Sequence, residues 1–194
     1  MKPVTDQAYK LLHNGCIALA QVESYGIRID TDYLQKSIDQ SNQQIDNMAS
    51  ELQKDDIYKQ WVKKYKDKFT WESGEQLGDI LFNVLNHDPT GFTKTGRPKT
   101  DEESLRATEL PFVDQFLKMK KLRKATNTYL VGILRHTQDG YLHPFFDLHI
   151  PVSYRGSSSS PNFQNIPIRD FEIGKLVRQA FLAREGRRII EVDF

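Results

Sequence analysis

Apolar positions follow a helical period from the start of the chain. Between residues 6 and 24, Leu12, Cys16, Leu19, Ala20 and Val22 recur at near-helical spacing, and Tyr25-Gly26 supplies a stop. A helix of about five turns is predicted. Ile27-Arg28-Ile29-Asp30 then alternates over one short strand, and Thr31 or Asp32 is placed to cap a second helix. There Leu34, Ile38, Ile45, Met48 and Leu52 fall on one narrow stripe among Gln, Asn, Ser and Asp, the pattern of a long helix that packs along one seam and projects into solvent. Ser73 reads as the N-cap of a helix over 74–85, where Leu77, Ile80, Leu81, Val84 and Leu85 make a broad apolar face. A loop over 87–99, rich in Gly, Pro, Thr and cations, separates it from a capping box, Thr100 with Glu103, that opens another helix.

Phe112, Phe116, Met119, Leu122, Tyr129 and Ile133 then trace one face of a helix over 112–133. Asp139-Gly140 signals a turn, and the pattern alternates over 141–150. The fold expected is α+β and mostly α, with long antiparallel helices followed by a small β-rich segment. Three parts are expected: 1–30 as a lead-in helix and strand, 31–135 as a helical body, and 136–194 as the β-rich part, which ends on a strand.

Composition changes this picture little. The chain has 194 residues, with 27 Lys+Arg against 26 Asp+Glu, so any polyanion must be held by a local patch. Its single cysteine, Cys16, excludes an internal disulfide and is expected to be a small buried apolar residue. No apolar run is long enough to cross a bilayer and the first residues lack a signal-peptide pattern, so a soluble protein of a reducing compartment is expected. The five histidines show no metal-ligand spacing, and GxGxxG, GxxxxGK[ST] and GxSxG are absent.

The charge distribution is more informative than the total. No acidic residue lies between Asp114 and Asp139, yet Lys118, Lys120, Lys121, Arg123, Lys124 and Arg135 all do. Such a helix is either a solvated face or a phosphate-contact surface. The loop Lys94-Thr95-Gly96-Arg97-Pro98-Lys99 adds cations and a glycine suited to phosphate contacts. The segment Arg155-Gly156-Ser157-Ser158-Ser159-Ser160-Pro161-Asn162-Phe163-Gln164-Asn165 is dense in donors matched to phosphate and minor-groove acceptors. At the end, Ile190, Val192 and Phe194 alternate with Glu191 and Asp193 as in a strand. There Asp193 is either an exposed strand residue or a hard oxygen ligand of the kind Mg2+ prefers.

Taken together these residues resemble the family A DNA polymerases, the DNA polymerase I family. Val22-Glu23-Ser24-Tyr25-Gly26-Ile27-Arg28-Ile29-Asp30 is similar to the entry into the polymerase region. Ser73 with Gln76-Leu77 and Ile80-Leu81-Phe82, then Lys94-Thr95-Gly96 and Thr100, resembles the thumb, and Lys124 with Thr128-Tyr129 resembles the K-L-K-S-T-Y helix end. Residues 157–169, SSSSPNFQNIPIR, are close to S-S-x-D-P-N-L-Q-N-I-P-V-R, and Arg178-Gln179-Ala180-Phe181 with Val192-Asp193-Phe194 matches the approach to motif A. The sequence departs from the family at Tyr154-Arg155-Gly156, where the glycine lies on the other side of the arginine, at Ser160 in place of Asp, and at Phe194 in place of Tyr.

By that resemblance 31–135 would be the thumb and 136–194 the first part of the palm. Asp193 would be the catalytic motif A carboxylate that binds Mg2+, with the backbone carbonyl of Phe194 as a further ligand. Lys94, Arg97, Lys99, Lys120 and Lys124 would touch duplex backbone, Arg155 would reach the minor groove at the primer terminus, and Asn162, Gln164, Asn165 and Arg169 would hold the primer-template. The partners implied are primer-template DNA, deoxynucleoside triphosphates in the complete enzyme, and a second polypeptide carrying the fingers and motif C if the gene is split. The location implied is the cytoplasm of a bacterium or phage-infected cell, with an organelle as the alternative. The chain stops before the motif C carboxylates, so it is expected to be inactive alone, because two-metal phosphoryl transfer needs more than one carboxylate. A non-catalytic helical nucleic-acid-binding module is the rival reading.

Overall fold

The computed structural model describes residues 5–150, 155–166 and 170–190. The mostly helical α+β class expected from the pattern is what the chain adopts. Thr5 caps helix α1 (Asp6–Tyr25) by accepting from the Ala8 N–H at 3.3 Å. Gly26 ends it with φ +62°, and a Cβ there would come within 2.9 Å of the Leu142 carbonyl oxygen, so backbone and space both require glycine. No residue of α1 is buried, and Cys16 is exposed, contrary to the core position expected from its residue type. The helix is anchored by polar contacts instead: the Glu23 carboxylate accepts from the Phe146 N–H at 2.6 Å and the Glu23 carbonyl meets His143 Nδ1 at 2.8 Å.

Strand β1 (Ile27–Ile29) leads into α2 (Thr31–Leu52). Its cap is Asp30, whose carboxylate accepts from the Tyr33 N–H at 2.8 Å, one residue before the expected Thr31 or Asp32. Asp30 still belongs to the extended backbone, so its side chain rather than theirs faces the free N–H groups of the first turn. The apolar stripe of α2 packs as a seam, but against two cores: Leu34 and Ile38 enter one, Ile45 and Leu52 another, with Met48 half-buried beside the second.

Those cores belong to two compact units, Met1–Asp39 with Ala125–Phe194, and Gln40–Lys124. In the first, β2 (Thr137–Gln138) and β3 (Tyr141–Leu142) form a hairpin closed by Asp139 at φ 49° and Gly140 at φ 77°. Two consecutive positive φ values define the turn that Asp-Gly predicts. An antiparallel sheet of order β2-β3-β1-β6 results, β6 being Phe181–Leu182. Ile29, Leu34, Leu130, Ile133, Leu142 and Val177 are packed together in this core. Helix α8 (Phe171–Arg178), absent from the sequence expectations, closes it, with Asp170 capping Ile173 N at 3.1 Å and Tyr33 Oη donating to the Leu176 carbonyl at 2.9 Å. A separate ribbon pairs β4 (Phe145–Asp147) with β5 (Ser157–Ser159).

The second unit packs the rest of α2 with α3 (Asp56–Tyr65), α4 (Gly74–Asp79), α5 (Glu102–Arg106) and α6 (Pro111–Lys124). Ser73 caps α4 as expected, accepting from the Gln76 N–H at 3.1 Å, and a π turn over Ile80–Val84 extends it. Asp101, accepting from the Ser104 N–H at 2.8 Å, caps α5 in place of Thr100. Trp61, fully buried, donates its indole N–H to Gln76 Oε1 at 3.0 Å and meets Phe69, Trp71 and Phe116 edge to face. The helical run expected over 112–133 continues from α6 through a π turn, Ala125–Leu130, into α7 (Val131–His136). The units part at this π turn because Leu130 and Ile133 pack with Ile29 and Leu142, whereas the line near residue 136 marks the change from helix to strand.

Candidate nucleic-acid interface

The basic loop of the second unit is held by its own backbone. Thr93 N–H donates to the Arg97 carbonyl at 2.7 Å, Gly96 N–H to the Thr93 carbonyl at 2.9 Å, and Lys99 N–H to the Gly91 carbonyl at 2.9 Å. Gly96, at φ +77° with open space around it, makes the tip. Lys94, Arg97 and Lys99 are exposed and enter no ion pair among the described residues. An ordered tip whose cations enter no ion pair among the described residues is suited to backbone phosphates.

Arg97 and Thr93 also line a cleft of about 590 Å3 whose other wall carries Ser73, Gln76 and Asp79. Asp79 accepts from Tyr65 Oη at 2.6 Å, from Asn83 at 2.8 Å and from Lys64 Nζ at 2.5 Å. Burial alone would raise the carboxyl, but these hydrogen bonds and the Lys64 charge outweigh it and hold Asp79 below its ordinary range. Burial first, then Asp79, push the Tyr65 phenol up to about 12. No local sequence signal points to this cluster, because Lys64-Tyr65 and Asp79 come from different helices.

Along α6, Lys118 and Lys124 are exposed, and neither they nor Lys120 form an ion pair among the described residues. Lys120 is half-buried, its Nζ 5.9 Å from the centre of the Phe116 ring. The stretch of the helix after Asp114 is acid-free in sequence but not in space: Arg123 Nε lies 3.1 Å from the Glu72 carboxylate.

In the other unit, Arg155 is exposed just before β5. The serine run is a paired strand with fewer free donors than its composition suggests. Ser158 is buried, its hydroxyl accepting from the Phe163 N–H at 2.9 Å and donating to Asn162 Oδ1 at 3.4 Å. The turn Phe163–Asn165 follows, so Asn162 and Asn165, both exposed, are brought to one short segment. Gln164 shares this turn, while its side chain lies outside the described residues, as do Arg169, Asp193 and Phe194. The strand expected over 190–194 is described only at Ile190, which is irregular and 80% exposed. Among the described residues no group of three His, Cys, Asp or Glu side chains could hold a metal.

Residues 34–194 match the profile described as DNA polymerase family A. The chain is 33% identical over 182 residues to the thermostable DNA polymerase I of Thermus thermophilus, covering 91% of this chain and 21% of that one. It is 33% identical over 190 residues to the DNA polymerase of Escherichia phage T5, covering 95% and 22% respectively. The chain therefore spans about a fifth of the length of these relatives. Its fold is similar to the POL domain of Pol1 from M. smegmatis, solved in complex with DNA primer-template and dNTP, with a TM-score of 0.72 and 31% identity over 87% of this chain and 28% of that one. On these matches the chain belongs to DNA polymerase family A.

Proposed function

We propose that this chain is the duplex-gripping part of a DNA-directed DNA polymerase, that it supplies one catalytic carboxylate to nucleotidyl transfer, and that it is inactive by itself. The observation that carries the reading is the set of exposed cations Lys94, Arg97, Lys99 and Lys124, in no ion pair among the described residues, on a family A chain whose structural relative was solved on primer-template. In this reading 31–135 is the thumb and 136–194 opens the palm. The loop and helix cations, with Lys120, neutralise duplex phosphates without reading sequence. Arg155, Asn162, Gln164, Asn165 and Arg169 add donors on the primer-template.

Asp193 and the Phe194 carbonyl are hard oxygen donors, a set that fits Mg2+. That ion, when bound, would stabilise charge on the transferring phosphoryl group. Asp193 alone leaves the donor set short of a two-metal site, hence the expected inactivity.

The test is a titration of primed duplex at two salt concentrations, with primer extension run alongside. Affinity should fall steeply with salt, at a slope of about 0.9 per phosphate contact, and Lys94→Ala with Lys99→Ala should lower that slope by about 2. A flat, weak response overturns the grip, and extension by the isolated chain with Mg2+ and all four nucleotides overturns the inactivity.

A further inference from the structure

The sheet of the first unit has one face in the core and one outside. Ile29 opposes Phe181, and Ile27 opposes Leu142; Ile29 and Leu142 are buried, so this is the core face. Arg28 therefore points the other way, opposite Tyr141 on one neighbour and Leu182 on the other. Arg184 joins them there: its guanidinium carbon lies 4.7 Å from the centre of the Tyr141 ring and 5.8 Å from that of Tyr25, and it donates to the Tyr25 carbonyl. Arg187 and Arg188 complete the wall of a cleft of about 610 Å3 that Arg28, Arg184 and Tyr25 also line.

The cleft thus gathers four guanidinium groups, and among the described residues no acidic side chain lines it. Arg28, Arg187 and Arg188 enter no ion pair among the described residues, while Arg184 is already fixed by two aromatic rings and a carbonyl. Like charges brought together without counter-charges repel, so the arrangement is relieved by an anionic ligand. Planar guanidinium forks match phosphate oxygens. Beside them Tyr25 is 67% exposed, offering ring surface to a second group. Phosphate-binding cations next to an open aromatic ring are the requirements of a strand whose bases are unpaired, because a base inside a duplex has no face left to stack.

We infer that this cleft is a second nucleic-acid site, taking a single-stranded segment through its phosphates, with one base stacked on Tyr25. It uses none of the residues assigned to duplex binding and stands or falls apart from that reading.

The experiment measures fluorescence anisotropy of a labelled oligothymidylate and, separately, of a blunt-ended duplex with no single-stranded overhang, on the whole chain. The Arg187→Ala/Arg188→Ala double variant should bind the single strand at least tenfold more weakly, with a salt slope lowered by about 1.4, two contacts at about 0.7 each. Tyr25→Leu should lose about tenfold, within the range for one stacked base. Both variants should keep wild-type circular dichroism and duplex affinity, whereas Lys94→Ala/Lys99→Ala should show the reverse pattern. Wild-type single-strand binding by the double variant overturns the proposal. So does displacement of the oligonucleotide by inorganic polyphosphate or an acidic peptide as readily as by unlabelled oligonucleotide. Undiminished binding by Tyr25→Leu overturns the stacked base.

Discussion

Tyr65 and Asp79 share a proton donor and acceptor 2.6 Å apart in a half-buried site, and pH reads the two groups in opposite directions. The folded tyrosine holds its proton up to about 12 against an ordinary 10.0. A raised folded value contributes stability that is present below pH 10 and lost as the pH rises towards 12. Asp79 is depressed below 3.8, so its contribution is present above that pH and lost as the pH falls through the lowered value. Tyr65→Phe should therefore flatten the alkaline fall in stability, and Asp79→Asn the acid one. Urea unfolding as a function of pH checks both; a parallel loss at all pH values would show that packing alone is involved.

At the scale of elements, the meeting of α4 with the segment before α5 is set by Gly78. A Cβ on that glycine would lie 2.3 Å from Thr100 Cγ2, closer than any real contact, and the short branched threonine cannot swing aside. Glycine to alanine inside a helix ordinarily stabilises by up to about 1 kcal/mol. Gly78→Ala should instead destabilise, by about 1–3 kcal/mol, through overpacking. Thermal unfolding checks the sign, and Gly78→Ala combined with Thr100→Ser should recover most of the loss.

The same elements show what could be read in advance. Periodicity found α1, α2, α4 and the run from α6 to α7, and Asp139-Gly140 found its hairpin, because these signals are local. Caps slipped by one residue at Asp30 and Asp101, where two cap-competent residues stand side by side and backbone direction decides. Helix α8 carries a local signal as well, since Asp170 followed by Ile173, Leu176, Val177 and Ala180 is a cap and an apolar face. Contacts between distant segments had no such signal. The Glu72 that meets Arg123 and the strand that engages the serine run come from elsewhere in the chain. Of the site, residue identities on the basic loop were readable, whereas the clustering of Arg28 with Arg184, Arg187 and Arg188 depends on sheet register.

At the scale of the whole molecule, two cores fed by one helix predict two unfolding events. Both tryptophans, Trp61 and Trp71, lie in Gln40–Lys124, so their fluorescence follows that unit alone, while circular dichroism follows the helices of both. Leu81, fully buried in that core, should cost about 2–5 kcal/mol when cut to alanine. In Leu81→Ala the fluorescence midpoint in urea should drop well below the dichroism midpoint, with a second transition left at the wild-type position. Coincident transitions would mean that α2 couples the units into one cooperative block.

The exposed Cys16 then acquires a use. It is the sole thiol of the chain and lies in the unit that has no tryptophan. An acceptor dye attached there and the native indoles of the other unit form an energy-transfer pair with no engineered residue. Any change in separation between the units when DNA is added would be read directly as a change in donor quenching.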